Sequence, residues 1–247
     1  MLVSPVDGSE VPATAGSKAE NSMLEPEAIQ AALMAAAGEV QALMNHMGLA
    51  ARSSPTAKFV LKSDLQSSFR RALQFGRTEL VSVDSSLGKT GALAEASDVV
   101  VAAKARTPQF AAEVQFHPRG EDHVSFASDT LVDVVKMALA RSREAVEQAA
   151  VLVAAPARFW RWLPGYADDR LGYELLNPGA ETPASVSTDF LGGSSWDGLF
   201  EAGMDRELPE RLWTASLGAA PARSPWAELE IRLLEVKGLG KLADVRS

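Results

Sequence analysis

The chain has 247 residues, of which 47% are apolar and 23% charged, and this composition is typical of a globular protein with one large domain or two small ones. It contains no cysteine, which excludes disulfides, thiolate zinc sites, iron–sulfur clusters and cysteine nucleophiles, and its three histidines are too few for a histidine-rich metal centre. The formal net charge of −8 argues against a general polyanion-binding protein, although residues 52–106 alone carry a net charge of +4.

The sequence predicts neither a membrane-spanning helix nor a secretory signal. No apolar run in the chain reaches the roughly 20 residues that a membrane-spanning helix needs. The first residues also lack the basic start and the apolar middle of a signal peptide. We therefore expect a cytoplasmic protein that does not enter a membrane. Residues 1–22 are rich in Ser, Gly, Pro, Ala and Glu without any period, and this predicts a disordered leader.

The first predicted helix begins at Pro26, where a proline in the first turn is tolerated. Apolar residues then recur at steps of three and four from Ile29 to Met47. Gly48 is suited to end the helix.

A second helix is predicted after a loop at residues 52–55. Residues 58–62 fit either a short strand or the lead-in to this helix. Ser63 and Asp64 are the expected N-terminal caps of a helix over residues 65–75.

Three short strands are predicted next. Residues 79–83 are β-prone, residues 99–103 form an apolar run, and residues 110–116 alternate between apolar and polar positions. Turns are expected at residues 84–88 and 104–108, so the second and third strands predict a hairpin.

A long helix over residues 129–148 is predicted from one apolar face opposite a charged face. The uniformly apolar run at residues 150–155 predicts a strand buried on both faces, as in a parallel or mixed sheet covered by helices. Residues 229–236 predict a further strand, whereas residues 164–226 predict no clear element.

Together these elements predict an α/β fold with a mixed central sheet flanked by helices. We expect the core to span residues 23–160 and a C-terminal extension, residues 161–247, to pack on it.

Three polar residues lie on the predicted hairpin and suggest a chemical site. Asp98 stands at the mouth of the strand at 99–103, and Glu113 and Gln115 are two positions apart on the next strand, so they share a face. An unpaired carboxylate in an apolar strand costs several kcal/mol. A hydrated Mg²⁺ would compensate this charge, because it is commonly held by one or two carboxylates together with substrate phosphate.

The segments Ser97-Asp98 and Glu113-Val114-Gln115 resemble the PD-(D/E)XK nuclease superfamily, the fold of many restriction and repair endonucleases. In that pattern an Asp opens one strand, and an acidic residue, any residue and a Lys follow on the next. Here Ser97 replaces the proline, which is a common change. Gln115 replaces the lysine, which leaves open how the attacking water is activated, although some restriction enzymes carry Glu-x-Gln there.

The resemblance implies a restriction-endonuclease-like core that hydrolyses phosphodiester bonds of DNA with Mg²⁺ or Mn²⁺. Asp98 and Glu113 would be the metal ligands, and Gln115 would orient the attacking water or contact the phosphate. These three residues are the expected catalytic set. Cutting of both strands would suggest a homodimer.

Further residues are implied by the same resemblance. Lys136 on the long helix and His117 beyond Gln115 would contact substrate. Family members often place another glutamate on the first helix, and Glu39 is the candidate, with Glu79 as the second choice.

Other motifs in the chain are weaker. Gly88-Lys89-Thr90 looks like the end of a phosphate-binding loop, but position 83 is Val where that loop needs Gly. A metal site of His117 and His123 is conceivable, but we expect surface-loop histidines.

Glu235-Val236-Lys237 matches Glu-x-Lys more closely than the preferred segment does. Only ten residues follow it, however, and we expect a terminal strand with a charged, exposed face.

Two other functional interpretations remain open. The chain could be a non-catalytic protein-interaction domain on the same fold, which the net acidity and the missing lysine favour. It could also be an unrelated α/β interaction protein in which the motif is accidental. At the level of single residues, the alternative interpretations are a capping or turn role for Asp98 and an exposed face of an edge strand for Glu113 and Gln115.

Overall fold

The structure is a computed structural model, and it describes residues 24–54, 56–75, 80–82, 97–103, 108–117, 122–179, 181–192 and 208–239. The expected leader at residues 1–22, the turn at 84–88 and the Gly88-Lys89-Thr90 segment lie outside these described residues. Most of the expected turn at residues 104–108 also lies outside them.

The described residues form five α-helices, seven strands and two short 3₁₀ helices. In chain order the elements are α1 (Pro26–Met47), α2 (Ala50–Ser53), α3 (Ala57–Gln74), β1 (Leu80–Ser82), β2 (Val99–Ala103), β3 (Pro108–Phe116), α4 (His123–Ser142), β4 (Gln148–Ala155), α5 (Ala157–Ala167), the 3₁₀ turn Tyr173–Leu176, β5 (Ala184–Ser187), the 3₁₀ turn Thr188–Gly192, β6 (Arg211–Arg223) and β7 (Glu228–Leu239).

The seven strands form one mixed sheet in the order β1-β2-β3-β4-β7-β6-β5. Strands β3 and β4 are parallel and are joined by α4, whereas every other neighbouring pair is antiparallel. The predicted mixed sheet is therefore confirmed. All eight residues of β4 are buried, as its uniformly apolar sequence predicts for a central strand.

Helices cover both faces of the sheet, which also confirms the predicted fold class. One core lies between the sheet and helices α1 and α3, and includes Leu33, Phe69 and Phe110. The other lies between the opposite face and helices α4 and α5, and includes Leu131 and Phe159. Alternate residues of β3 point into these two cores, so each polar residue of β3 is assigned to a face by its position alone.

The predicted first helix is confirmed as α1, but the region that follows differs from the prediction. Residues 50–53 form the short helix α2 rather than a loop. Helix α3 begins at Ala57, so residues 58–62 are its first turns, and Ser63 and Asp64 lie in its interior rather than at its cap. The buried stripe of α3 recurs every four residues from Leu61 to Leu73, and this longer apolar face outweighs the local capping signal.

The predicted long helix is shifted toward the N-terminus. Helix α4 spans His123–Ser142 because Asp122 is its N-cap, with the carboxylate accepting from the backbone N–H groups of Val124 and Ser125 at 3.2 Å. It ends six residues before the predicted end, since Gln148 already begins the buried strand β4.

The C-terminal part of the chain joins the same sheet. The predicted strand at 229–236 is confirmed within β7, which pairs with β4 along its length. Helix α5 spans the expected boundary between residues 160 and 161, and strands β5 and β6 lie in the region for which the sequence predicts no element. The long pairing of β6 with β7 is interrupted by an irregularity between Ser216 and Gly218, which breaks the alternation of β6.

Among the described residues, no helix combines the length and apolar character needed to span a bilayer.

Candidate metal and catalytic site

Asp98 directly precedes β2, and Glu113 lies on the neighbouring strand β3. Val99, the first residue of β2, pairs with Ala112 of β3, so Asp98 and Glu113 each lie one residue beyond this last pair. The Asp98 Oδ2 atom accepts a hydrogen bond from the Val114 backbone N–H at 2.8 Å. The Asp98 carboxylate thus accepts the hydrogen bond of the Val114 N–H, at a point where β3 continues beyond the first residue of β2.

Helix α3 fixes Asp98 from one side of the sheet. Lys62 Nζ lies 3.1 Å from Asp98 Oδ2. One and two turns further on, Gln66 and Arg70 both donate to the backbone carbonyl of Asp98, Arg70 from Nη2 at 2.6 Å. The three side chains recur every four residues and therefore share one helix face. Both the carboxylate and the main chain of Asp98 are held by this face.

Glu113 forms an ion pair with Lys136 of α4, and 2.7 Å separates its Oε1 atom from Lys136 Nζ. The two side chains are only 8% and 9% exposed, respectively. Burial raises the pKa of Glu113, and the nearby charge of Asp98 raises it further, while the Lys136 ammonium acts in the opposite direction. Glu113 is thus a buried carboxylate with one cationic partner and one anionic neighbour.

Gln115 contacts a second acid on α4. Its Nε2 atom donates to Asp133 Oδ2 at 2.6 Å. Burial raises the pKa of Asp133 to about 7, and the charge of Glu113 adds to this rise. Asp133 and Lys136 are three positions apart on α4, so both point toward the same part of β3.

The structure brings together four of the residues expected from the sequence: Asp98, Glu113, Gln115 and Lys136. It adds Lys62 and Asp133, which the sequence reasoning missed. The sequence does contain an indication of Asp133. It adjoins the apolar positions of an amphipathic helix and precedes a lysine by three residues, and an acid in this position is suited to face a polar strand.

Glu39 is not brought to this site. It accepts a hydrogen bond from Ser68 Oγ at 2.6 Å and pairs with Arg71, so it joins α1 to α3. The bond from Ser68 and the charge of Arg71 lower the pKa of Glu39, as expected for a carboxylate held by donors. Glu79, the second choice, lies outside the described residues.

The two histidines beyond β3 are not surface-loop residues, so that expectation was wrong. His117 is fully buried and its Nε2 atom lies 2.6 Å from His123 Nδ1. The ring of His117 stacks on Phe126 at a centroid distance of 4.4 Å and meets Phe159 edge-on at 5.4 Å. His117 therefore belongs to an aromatic cluster between α4 and α5.

The competing Glu235-Val236-Lys237 segment forms no second acidic site with described residues. Glu235 is buried, which corrects the expectation of an exposed face. It pairs with Lys237 at 2.9 Å and accepts a bond from Gln148 at 3.4 Å. The alternation of β7 places it on the sheet face opposite Glu113. The nearest upstream acids, Asp205 and Glu207, lie outside the described residues.

The carboxylates of Asp98 and Glu113, the expected metal ligands, are paired with Lys62 and Lys136 in this structure. In the part of the chain that the structure describes, no three His, Asp or Glu side chains are close enough to form a complete metal cage. Two carboxylates suffice for Mg²⁺, which usually retains water and binds substrate phosphate. Burial, and to a lesser extent the charge of a neighbouring acid, raises the pKa of both Glu113 and Asp133, so a divalent cation bound beside them would favour their ionised forms.

Comparison of the chain with protein-family models, with curated proteins and with solved structures finds no match.

Proposed function

We propose that the protein is an endonuclease that hydrolyses phosphodiester bonds of DNA with Mg²⁺ or Mn²⁺. The observation that carries the proposal is the proximity of Asp98, just before β2, to Glu113 on β3: Asp98 accepts from the N–H of Val114, its charge raises the pKa of Glu113, and Lys136 lies 2.7 Å from Glu113. The order of one helix, an antiparallel hairpin, a second helix and a parallel strand agrees with the resemblance described above. As proposed, the enzyme acts in the cytoplasm.

Asp98 and Glu113 would hold the metal ion, which when bound would polarise a phosphoryl oxygen and lower the pKa of a coordinated water. Lys62 and the Val114 N–H keep Asp98 in place, so this carboxylate is oriented before any ligand binds. Pre-organised groups of this kind stabilise a transition state without reorganising during the reaction.

Lys136 supplies the positive charge that the strand lacks at position 115. Its ammonium lies on the same sheet face as Glu113 and Gln115. From there it would stabilise the negative charge that develops on the phosphoryl oxygens. The lysine of the family pattern is thus replaced in its electrostatic role by a residue from α4.

Gln115 is the candidate for orienting the attacking water. When ionised, Asp133 accepts hydrogen bonds only, so it binds the amide nitrogen of Gln115 and leaves the carbonyl oxygen directed elsewhere. That oxygen would accept a hydrogen bond from water. Asp133 is therefore a positioning residue in this proposal.

A second candidate function is a non-catalytic protein-interaction domain. The observation that favours it is the burial of Glu113 and Lys136, each less than a tenth exposed, because a structural ion pair has the same appearance. On this alternative the two residues would stabilise the fold, and no metal would bind.

Plasmid cleavage distinguishes the two candidates. Supercoiled plasmid is incubated with the purified full chain in Mg²⁺, in Mn²⁺ and in EDTA. Glu113→Gln and Asp98→Asn keep the shape of each side chain and remove its charge. Glu235→Gln is the matched control, because Glu235 is also a buried glutamate paired with a lysine but lies on the other face of the sheet.

The proposal expects metal-dependent nicking or linearisation by the wild type and by Glu235→Gln, and a loss of at least about a hundredfold in both site variants, as for removal of a transition-state contact. Equal cutting by wild type and Glu113→Gln would indicate a contaminating enzyme and overturn the proposal. No cutting by the wild type in either metal would favour the interaction domain.

A further inference from the structure

A cavity of about 710 Å³ lies at the carboxyl ends of the two parallel strands, β3 and β4. Phe116 and His117 enter it from the end of β3, and Pro156 from the end of β4. Helices α2, α3 and α5 and the turn between β6 and β7 supply the other walls. The volume is within the range of small-molecule sites, and ligands of α/β proteins commonly bind at this edge of the sheet.

The walls of the cavity are basic although the whole chain is acidic. Lys58 of α3 and both Arg158 and Arg161 of α5 line it. Among its described lining residues the single acid is Glu228, whose Oε1 atom is already paired with Arg223 Nε at 2.8 Å. Arg158 and Arg161 are not paired with any carboxylate of the described residues. The charge of the cavity therefore favours an anion.

Two helices also begin in its walls. Helix α3 starts at Ala57 and helix α5 at Ala157, and both residues line the cavity. In their first turns the Ala57 N–H donates to Ser54 O and the Phe159 N–H to Pro156 O, but the helix dipoles still favour negative charge at these ends. This effect adds to the charge of Arg158 and Arg161.

The remaining wall is apolar and aromatic. It includes the indole of Trp226 and the side chains of Phe116, Met44 and Leu229. Trp226 is 40% exposed, so part of its indole is accessible to a ligand in the cavity. Its Nε1 atom lies above Gly48, where a built Cβ would be 3.7 Å away, so the end of α1 supports one edge of the ring.

We propose that this cavity binds a nucleoside phosphate, with the phosphate groups against Arg158 and Arg161 and the base along Trp226. A cationic end and an aromatic wall in one cavity match the two halves of such a ligand, since guanidinium groups bind phosphate in a bidentate manner. Of the residues that the sequence assigned to the nuclease site only His117 lines this cavity, and Asp98, Glu113 and Lys136 do not, so the inference stands whether or not the protein cuts DNA.

Isothermal titration calorimetry in EDTA tests the inference without any contribution from metal-dependent catalysis. The probes are ATP, GTP, CTP and UTP, then the monophosphate and the nucleoside of whichever binds most tightly. Arg158→Gln and Arg161→Gln remove the charges and keep helix-forming side chains. Arg211→Gln at the far end of β6 is the matched control, because Arg211 is exposed and does not line the cavity.

Saturable binding of a nucleotide is expected, weakened about tenfold or more by each cavity variant and unchanged by Arg211→Gln, in line with the loss of a charge-assisted hydrogen bond. The nucleoside alone is expected to bind much more weakly. In NMR spectra, the indole N–H signal of Trp226, assigned with the variant Trp226→Phe, is expected to shift when the nucleotide is added.

Three results would each overturn the inference. The first is the absence of saturable binding by all four triphosphates. The second is binding that neither cavity variant weakens. The third is binding of a single-stranded oligonucleotide that depends on Arg158 and Arg161 when no free nucleotide binds, which would identify the cavity as part of a nucleic-acid surface.

Discussion

Lys136 and Glu113 form an ion pair between α4 and β3 that is almost completely removed from water, with 2.7 Å between Nζ and Oε1. The neighbouring pair of Lys62 and Asp98 has a similar length, 3.1 Å, but its side chains are 32% and 22% exposed. The two lysine–carboxylate pairs of the site therefore differ in their exposure to water. Their contributions to stability are expected to differ accordingly.

Replacing Lys136 with Met is expected to destabilise the protein by about 3–5 kcal/mol, the usual cost of leaving a buried charge without its partner. The measurement is the free energy of unfolding from urea denaturation near neutral pH. The double variant Glu113→Gln with Lys136→Met is expected to regain much of the loss, because neither member of the pair is then charged. A double variant as unstable as the single one would show that packing, not charge, holds this contact.

Replacing Lys62 with Met is expected to change the free energy of unfolding by less than about 1 kcal/mol, because a partly exposed ion pair is screened by water. Asp98 also keeps its bond from the Val114 N–H. Urea denaturation in parallel with Lys136→Met makes the comparison direct. A loss equal to that of Lys136→Met would contradict the assignment of Lys62 as a partly solvated partner.

The sequence predicted much of the fold because the relevant patterns are local. The first helix, the hairpin of β2 and β3 and the buried strand β4 follow from apolar periodicity and from turn residues within short windows. The start of α4 was missed because the cap at Asp122 adjoins His123, which looked like a loop residue. The strand β6 was missed because its irregularity near Gly218 interrupts the alternation.

The site was only half accessible to sequence reasoning. Asp98, Glu113 and Gln115 could be found because they lie at the start of one predicted strand and within the next, and these two strands pair as a hairpin. Lys62 and Asp133 come from helices whose docking on the sheet is set by tertiary packing, and no spacing in the sequence specifies it. For the same reason the sequence gives no indication that Arg158 meets Lys58 in one cavity, since about a hundred residues separate them.

Asp133 predicts a decrease in stability as pH rises. Its pKa is raised from 3.8 to about 7 in the folded protein, so between these values the folded state binds more protons than the unfolded state. The contribution of this proton to the free energy of unfolding is fully present below about pH 4. It is lost as pH rises through 7, and the loss is at most about 4 kcal/mol. Asp133→Asn is expected to remove this slope in denaturation curves recorded in EDTA from pH 5 to 8.

An unchanged slope in Asp133→Asn would assign the pH dependence to another group. Asp129→Asn is the control, because Asp129 lies on the same helix outside the candidate site and is expected to leave the slope as it is in the wild type.

His123 predicts the opposite trend on the acid side. Burial and the nearby charge of Arg158 lower its pKa below the ordinary value of 6.5, so the unfolded state binds a proton more readily. Stability is then complete above about pH 6.5 and falls as pH drops through that value. His123→Gln is expected to flatten this part of the curve, whereas the exposed His46 replaced in the same way is expected to have no effect.

Gly218 lies in the irregular part of β6 at φ +146°, a backbone conformation that residues with a Cβ rarely adopt. Gly218→Ala is expected to cost about 1–3 kcal/mol of backbone strain. A built Cβ would also overlap Gln30 Oε1 of α1, but the end of that flexible side chain can move away. Adding Gln30→Ala should therefore restore little of the loss.

Gly38→Ala is the control, because Gly38 is exposed in the interior of α1 with nothing within 4 Å of a built Cβ, and it is expected to stabilise the protein by about 0.5–1 kcal/mol. Urea denaturation of the three variants separates backbone strain from side-chain overlap, and full recovery in the double variant would show that overlap with Gln30, not φ, makes glycine necessary at this position.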